Sequence, residues 1–296
     1  MIPYSRQSVD KKDIASVVKI LKSNFLTQGP KVEEFEKNIS NLCRSKYVVA
    51  SNSATSSLHI ACLALNLKSK DIVWTVPNTF VASANCAINC GAEVDLVDID
   101  AKTFNICISS LEKKLIDAKK KGKLPKILIP VHFAGQPTNQ KKIWQLSKKY
   151  KFKIIEDASH SIGASFEDEP VGSCKWSDIT VFSFHPVKII TTGEGGAGLT
   201  NNKLIYEKMK SLRTNGIVKD LKYLKFKKNL PWYYEHHSSG FNYRMNDISA
   251  SLGISQLQKI KKFIKKRNQI AKLYKSYLQG LPLQFQKIDS KINSSY

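Results

Sequence analysis

Hydrophobic positions recur at two different periods along this chain. Ile14, Val17, Val18 and Leu21 stand at helical spacing, as do Val32, Phe35, Ile39 and Leu42, which predicts two amphipathic helices, the first ending near Ser23. Short apolar, β-branched runs follow at Tyr47–Ala50, Ile72–Thr75, Val94–Val97, Ile127–Val131, Lys153–Ile155 and Asp178–Ser183, separated by helical stretches. Such alternation predicts an α/β fold with a mostly parallel, doubly wound sheet covered on both faces. The glycine cluster Gly193-Glu194-Gly195-Gly196 closes a loop, and after Leu199 the pattern turns helical. A polar and aromatic loop surrounds Pro231-Trp232-Tyr233-Tyr234, and one long helical region runs from Asn246 to about Leu278.

Composition narrows the picture. With 296 residues, 42% of them hydrophobic, the chain supports one large domain with a sizeable core, or one domain plus an appendage. No apolar run spans a bilayer and Met1–Arg6 lacks the core of a signal peptide, so a cytoplasmic protein without membrane partners is expected. The six cysteines are scattered without a CxxC pair and read as small buried hydrophobes, with no metal site. A net charge of +23 raises nucleic acid as a partner, but lysine carries the excess, arginine appearing only at positions 6, 44, 213, 244 and 267. Base readout favours arginine, and clusters such as Lys261-Lys262 with Lys265-Lys266 read as solvated faces, so nucleic acid is not expected.

Candidate chemistry gathers at strand ends. Lys188 follows the apolar run Asp178–Ser183 and precedes the glycine cluster. An ammonium among apolar neighbours has a lowered pKa and is available as a nucleophile toward an aldehyde or ketone. A solvated surface lysine is the plainer reading. Asp157 and His160 sit just past the strand Lys153–Ile155, where open α/β sheets bind ligands, although Asp157 also suits a helix N-cap. A carboxylate and a Schiff-base lysine together are what pyridoxal phosphate requires, the acid keeping the pyridine nitrogen protonated. Ser51 to Ser57, small and mostly hydroxyl residues opening a helix after a strand, offer free N–H groups to a phosphate, or simply cap the helix.

Five motifs then occur in order: Asn52-Ser53-Ala54-Thr55-Ser56, Pro77-Asn78-Thr79-Phe80-Val81-Ala82, Glu156-Asp157-Ala158-Ser159-His160, Ser183-Phe184-His185 with Lys188, and Gly240-Phe241-Asn242-Tyr243-Arg244-Met245. Together they resemble the DegT-type sugar-nucleotide aminotransferases, most of all the pseudaminic acid branch, from Ile2-Pro3 to about Asp289. The resemblance implies a fold-type I pyridoxal phosphate enzyme, a homodimer with shared active sites. It implies that Lys188 forms the imine with the cofactor and moves the proton, and that Asp157 pairs with the pyridine nitrogen. His160 would lie near the phenolic oxygen and Phe80 would stack on the ring. Ala54, Thr55 and Ser183 would bind the phosphate, and Asn242 would reach in from the partner subunit. Many relatives carry Gly-Thr where this chain has Ala54-Thr55. Tyr4, Thr27, Gln28, His185 and Arg244 are candidates for touching substrate, with a plain turn as the alternative for Thr27 and Gln28 and a salt bridge for Arg244.

The expected reaction moves an amino group from L-glutamate to the 4-keto carbon of a UDP-linked 4-keto-6-deoxy-N-acetyl sugar. A dehydratase branch of the family carries histidine at the lysine position, and Lys188 argues against it. The alternative is a shortened, inactive paralogue that binds pyridoxal phosphate or a full-length partner. Residues 1–245 are expected to form the large cofactor-binding domain. Residues 246–296 supply a helical segment and the truncated start of a small C-terminal domain, most of which is missing relative to the family pattern.

Overall fold

Seven strands form the central sheet of the computed structural model, which describes residues 5–227 and 230–296. They are β1 (Tyr47–Ser51), β2 (Ile72–Thr75), β3 (Glu93–Leu96), β4 (Ile127–Leu128), β5 (Lys153–Asp157), β6 (Ile179–Ser183) and β7 (Gly196–Thr200), in the order β1-β7-β6-β5-β4-β2-β3. All run one way except β7, which is antiparallel to both of its neighbours. The helices are α1 (Lys11–Leu21), α2 (Pro30–Cys43), α3 (Ala54–Ala64), α4 (Ala82–Ile88), α5 (Ile108–Lys120), α6 (Gln140–Tyr150), α7 (Lys203–Arg213), α8 (Asp247–Leu257) and α9 (Ile260–Tyr277).

Strand periodicity sends alternate side chains to opposite faces, and both faces are dry. On β1, Val48 and Ala50 join Phe35 and Ile39 of α2, while Val49 faces Leu58 and Ile60 of α3. On β5, Ile155 faces the α3 side and Ile154 packs with Leu111, Leu115, Ile143 and Leu146 of α5 and α6. Helix α3 is buried on nearly every face, which matches its almost uniformly small and apolar sequence.

Two expectations need correction. The segment after Gly195 is no loop but strand β7, inserted between β1 and β6. Glycine is depleted in strands, yet a Cβ at Gly196 would overlap the backbone nitrogen of Ala54, and one at Gly198 would overlap Cε of Met209. The glycines are there because α3 and α7 lie so close to this strand. The single long helix after Asn246 is instead two, interrupted at Gln258-Lys259. At that break Lys259 pairs with Asp10, 3.0 Å away, and with Asp13, which is fully buried and also accepts from Ser255 and Gln256 at 2.6 and 2.8 Å. This cluster ties α1 to the α8–α9 junction.

Beyond α9 the chain returns to the sheet domain. Ile292–Asn293 pairs antiparallel with Ser165–Phe166, and Ser295 Oγ donates to the carbonyl of His160 at 2.8 Å. Among the described residues, no helix is long and apolar enough to cross a membrane.

The two strand glycines predict unequal responses. Gly196→Ala meets backbone that cannot yield and is expected to cost about 3 kcal/mol or more, whereas Gly198→Ala meets a flexible Met209 end and costs about 1 kcal/mol. Urea denaturation midpoints of the two variants check this ordering.

Candidate active site

Because β1, β2, β4, β5 and β6 are parallel, the segments that follow them open on one edge of the sheet, where ligands of such folds bind. There Ala54, Thr55, Phe80, Asp157, His160, Ser183, His185 and Lys188 line a single cavity of about 540 Å³. Eight side chains drawn from four separate segments of sequence are thus brought together.

One end of the cavity is the start of α3. Ser53 is its N-cap, with Oγ accepting from the Ser56 N–H at 3.0 Å. Ala54 and Thr55 follow in the first turn, where N–H groups have no acceptor within the helix and the dipole is positive, an arrangement suited to a phosphate.

The carboxylate of Asp157 ends β5 and is only 5% exposed. Its Oδ2 accepts from Ser83 Oγ of α4 at 2.5 Å, and Ser83 lies 2.7 Å from Thr79 Oγ1. Its Oδ1 accepts from both the N–H and the hydroxyl of Ser159, at 3.2 and 2.6 Å. Hydroxyl donors on both oxygens fix the plane of the carboxylate without neutralising it. Behind it lies Glu156, buried and pointing to the opposite face. Burial by itself would raise this carboxyl, but the His132 side chain 3.6 Å away, with Thr180 and Gln140 as donors, outweighs that and holds it below its ordinary value.

Lys188 Nζ is 2.6 Å from His160 Nε2. Burial lowers the lysine pKa against the pull of Asp157, with Arg267 adding to the lowering. Burial also takes His160 from 6.5 to about 4, helped by the charges of Lys188 and Arg267 and opposed by Asp157. His160 is therefore neutral near pH 7, and its Nε2 shares a hydrogen bond with the Lys188 amine. The backbone of Lys188 is held as well, since Arg267 Nη2 of α9 donates to its carbonyl at 3.1 Å.

Other expected residues lie elsewhere. Thr27 and Gln28 are exposed in the turn between α1 and α2 and do not line the cavity. Asn242 is exposed and bridges Thr214 by backbone, and Arg244 bridges Ser51; neither lines the cavity of its own subunit. Tyr4 lies outside the described residues. Phe80 is in the cavity wall with its ring 74% exposed. Ser83, Thr79, Ser159 and His132 were not singled out from sequence. Ser159, two residues after an aspartate, has the spacing of an Asx turn and was legible; Ser83, 74 residues from Asp157, was not.

Residues 7–296 match the profile of the DegT/DnrJ/EryC1/StrS aminotransferase family. The chain belongs to that family. It is 41% identical over 282 residues to the UDP-4-amino-4,6-dideoxy-N-acetyl-beta-L-altrosamine transaminase of Campylobacter jejuni, covering 95% of this chain and 71% of the relative. Among solved structures it is similar to Helicobacter pylori PseC, an aminotransferase involved in the biosynthesis of pseudoaminic acid, with TM-score 0.84 and 32% identity over 95% of this chain and 71% of that one. It is also similar to the PLP form of a Streptococcus pneumoniae protein assigned as a sugar aminotransferase, with TM-score 0.85 and 28% identity over 99% and 76% of the two chains. As in the other DegT-family aminotransferases, the fold is of type I.

For the cofactor-free protein, the depressed His160 gives a signed pH dependence. The unfolded chain binds the proton near pH 6.5 and the folded one near 4, so stability is fully present above 6.5 and falls by up to about 3 kcal/mol as pH drops from 6.5 to 4. His160→Asn should remove that slope in urea denaturation measured across this range.

Proposed function

We propose that this DegT-family aminotransferase uses pyridoxal phosphate to carry an amino group from L-glutamate to the 4-keto carbon of a UDP-linked 4-keto-6-deoxy-N-acetyl sugar. The observation that carries the reading is the meeting, in one cavity, of a half-buried lysine, a serine-held carboxylate and an open helix start. Those groups match the cofactor's amine-reactive aldehyde, its ring nitrogen and its phosphate. When bound, the cofactor supplies an electron sink for the pair left behind when a substrate proton departs.

The chain's own residues divide the remaining work. Ala54 and Thr55 donate N–H groups to the phosphate, and Ser183 adds a hydroxyl. Asp157, oriented by Ser83 and Ser159, would hold a proton on the ring nitrogen. Phe80 closes one side of the ring, which covers an aromatic surface otherwise left to water. Lys188 would hold the cofactor through its amine and, when free, would carry the proton between substrate and cofactor as general base and acid. Its lowered pKa makes the neutral amine accessible for both tasks. His160 shares a hydrogen bond with it while remaining uncharged. The position of the exposed Asn242 and the half-buried Arg244 outside the cavity supports a homodimer in which each serves the partner's site. The sugar class is supported by the 41% identity to the Campylobacter jejuni transaminase.

Borohydride reduction followed by mass spectrometry should fix one cofactor to Lys188 in the parent and none in Lys188→Ala. Label retained in that variant would move the role to another lysine. Asp157→Asn is expected to stay folded and lose roughly a hundredfold or more in turnover. If two subunits build each site, mixing Asn242→Ala with Lys188→Ala chains restores part of the activity each lacks alone; absence of rescue despite verified subunit exchange contradicts the shared site.

A further inference from the structure

A second concavity, of about 280 Å³, shares Lys188 with the main cavity. It lies between the N-terminal segment at Arg6–Ser8 and α9, and its wall carries five cationic side chains: Arg6, Lys188, Lys262, Lys266 and Arg267. No carboxylate lines it among the described residues. Nor do Arg6, Lys262 or Lys266 take part in a salt bridge there. Lys262 and Lys266 stand four residues apart on one face of α9. Both are exposed, as the sequence leads one to expect, and they also line this hollow beside Lys188.

Like charges gathered without a counter-ion repel, and an anion entering the hollow relieves that repulsion. The volume falls just below the usual range of roughly 300–1,000 Å³ for drug-sized ligands, which favours an amino acid over a nucleotide. Arg267 is committed to the carbonyls of Lys188 and Tyr296, at 3.1 and 2.5 Å, so it contributes field, while the side chains of Arg6, Lys262 and Lys266 have no hydrogen-bond partner among the described residues.

We infer that this concavity seats the amino donor: Arg6, Lys262 and Lys266 take the side-chain carboxylate of a dicarboxylic amino acid, which places its amine beside Lys188, the amine it would displace from the cofactor. The inference rests on the aminotransferase reading for the meaning of that amine, but the anion site is testable without it. Glutarate carries the donor's two carboxylates and no amine, so calorimetric titration of the purified full chain with glutarate reads the hollow whether or not cofactor is bound. The double variant Lys262→Gln/Lys266→Gln should weaken glutarate roughly five- to tenfold, the sum of two exposed charge contacts, with unchanged circular dichroism and unchanged affinity for UDP. Arg6→Gln should weaken it roughly threefold alone.

Glutarate binding that is absent in the parent, or equal in parent and variants, overturns the proposal. So does loss of UDP binding with glutarate unaffected, which gives the hollow to the nucleotide. Lysine-dependent glutarate binding in a protein that borohydride never labels at Lys188 sinks the aminotransferase reading and leaves the anion site standing; normal labelling with lysine-independent glutarate binding does the reverse.

Discussion

The close approach of β7 to the first turn of α3 is the constraint on which the site depends. A strand without side chains at two of its positions lets the helix start lie almost against the sheet. That contact fixes where Ala54 and Thr55 present their amides relative to Ser183 at the end of β6. The parallel neighbours then do the rest: β5 delivers Asp157 and β6 delivers the loop of Lys188 to the same edge. An antiparallel strand in the interior of an otherwise parallel sheet is thus no irregularity. It spaces β1 from β6 and so widens the edge over which a cofactor can lie.

The electrostatics of the cavity rest on a separation of roles between two buried acids and two bases. Asp157 faces the cavity and is surrounded by hydroxyls, whereas Glu156, one residue earlier, faces the other side of the sheet toward His132. Strand alternation alone keeps the two carboxylates from repelling each other in one site. His160, uncharged, adds no positive charge beside Lys188, so burial, with help from Arg267, is what lowers the amine's pKa against the pull of Asp157. The amine is reactive because the dryness of its surroundings outweighs the pull of the nearby carboxylate.

Much of this was readable before any coordinates. The β-branched runs marked six of the seven strands, and Asp157, His160 and Lys188 were readable because strand ends announce themselves by where apolar runs stop. Strand β7 was hidden because Gly196 and Gly198 carry the signature of a turn; what makes them a strand is the helices that crowd them. Ser83 was hidden for another reason. Its partner is 74 residues away, and nothing local distinguishes a serine that orients a carboxylate from one that fills a helix. The interruption at Lys259 was missed because both halves are good helix formers, and the break answers to Asp13, far away in sequence.

Arg267 deserves a different accounting. One guanidinium grips the carbonyl of Lys188 with one nitrogen and that of Tyr296 with another. That position does not tolerate lysine, which has a single ammonium and cannot clasp two carbonyls in a fixed plane. A helix that looks like lysine-rich covering is thus also the brace that sets the height of the reactive loop.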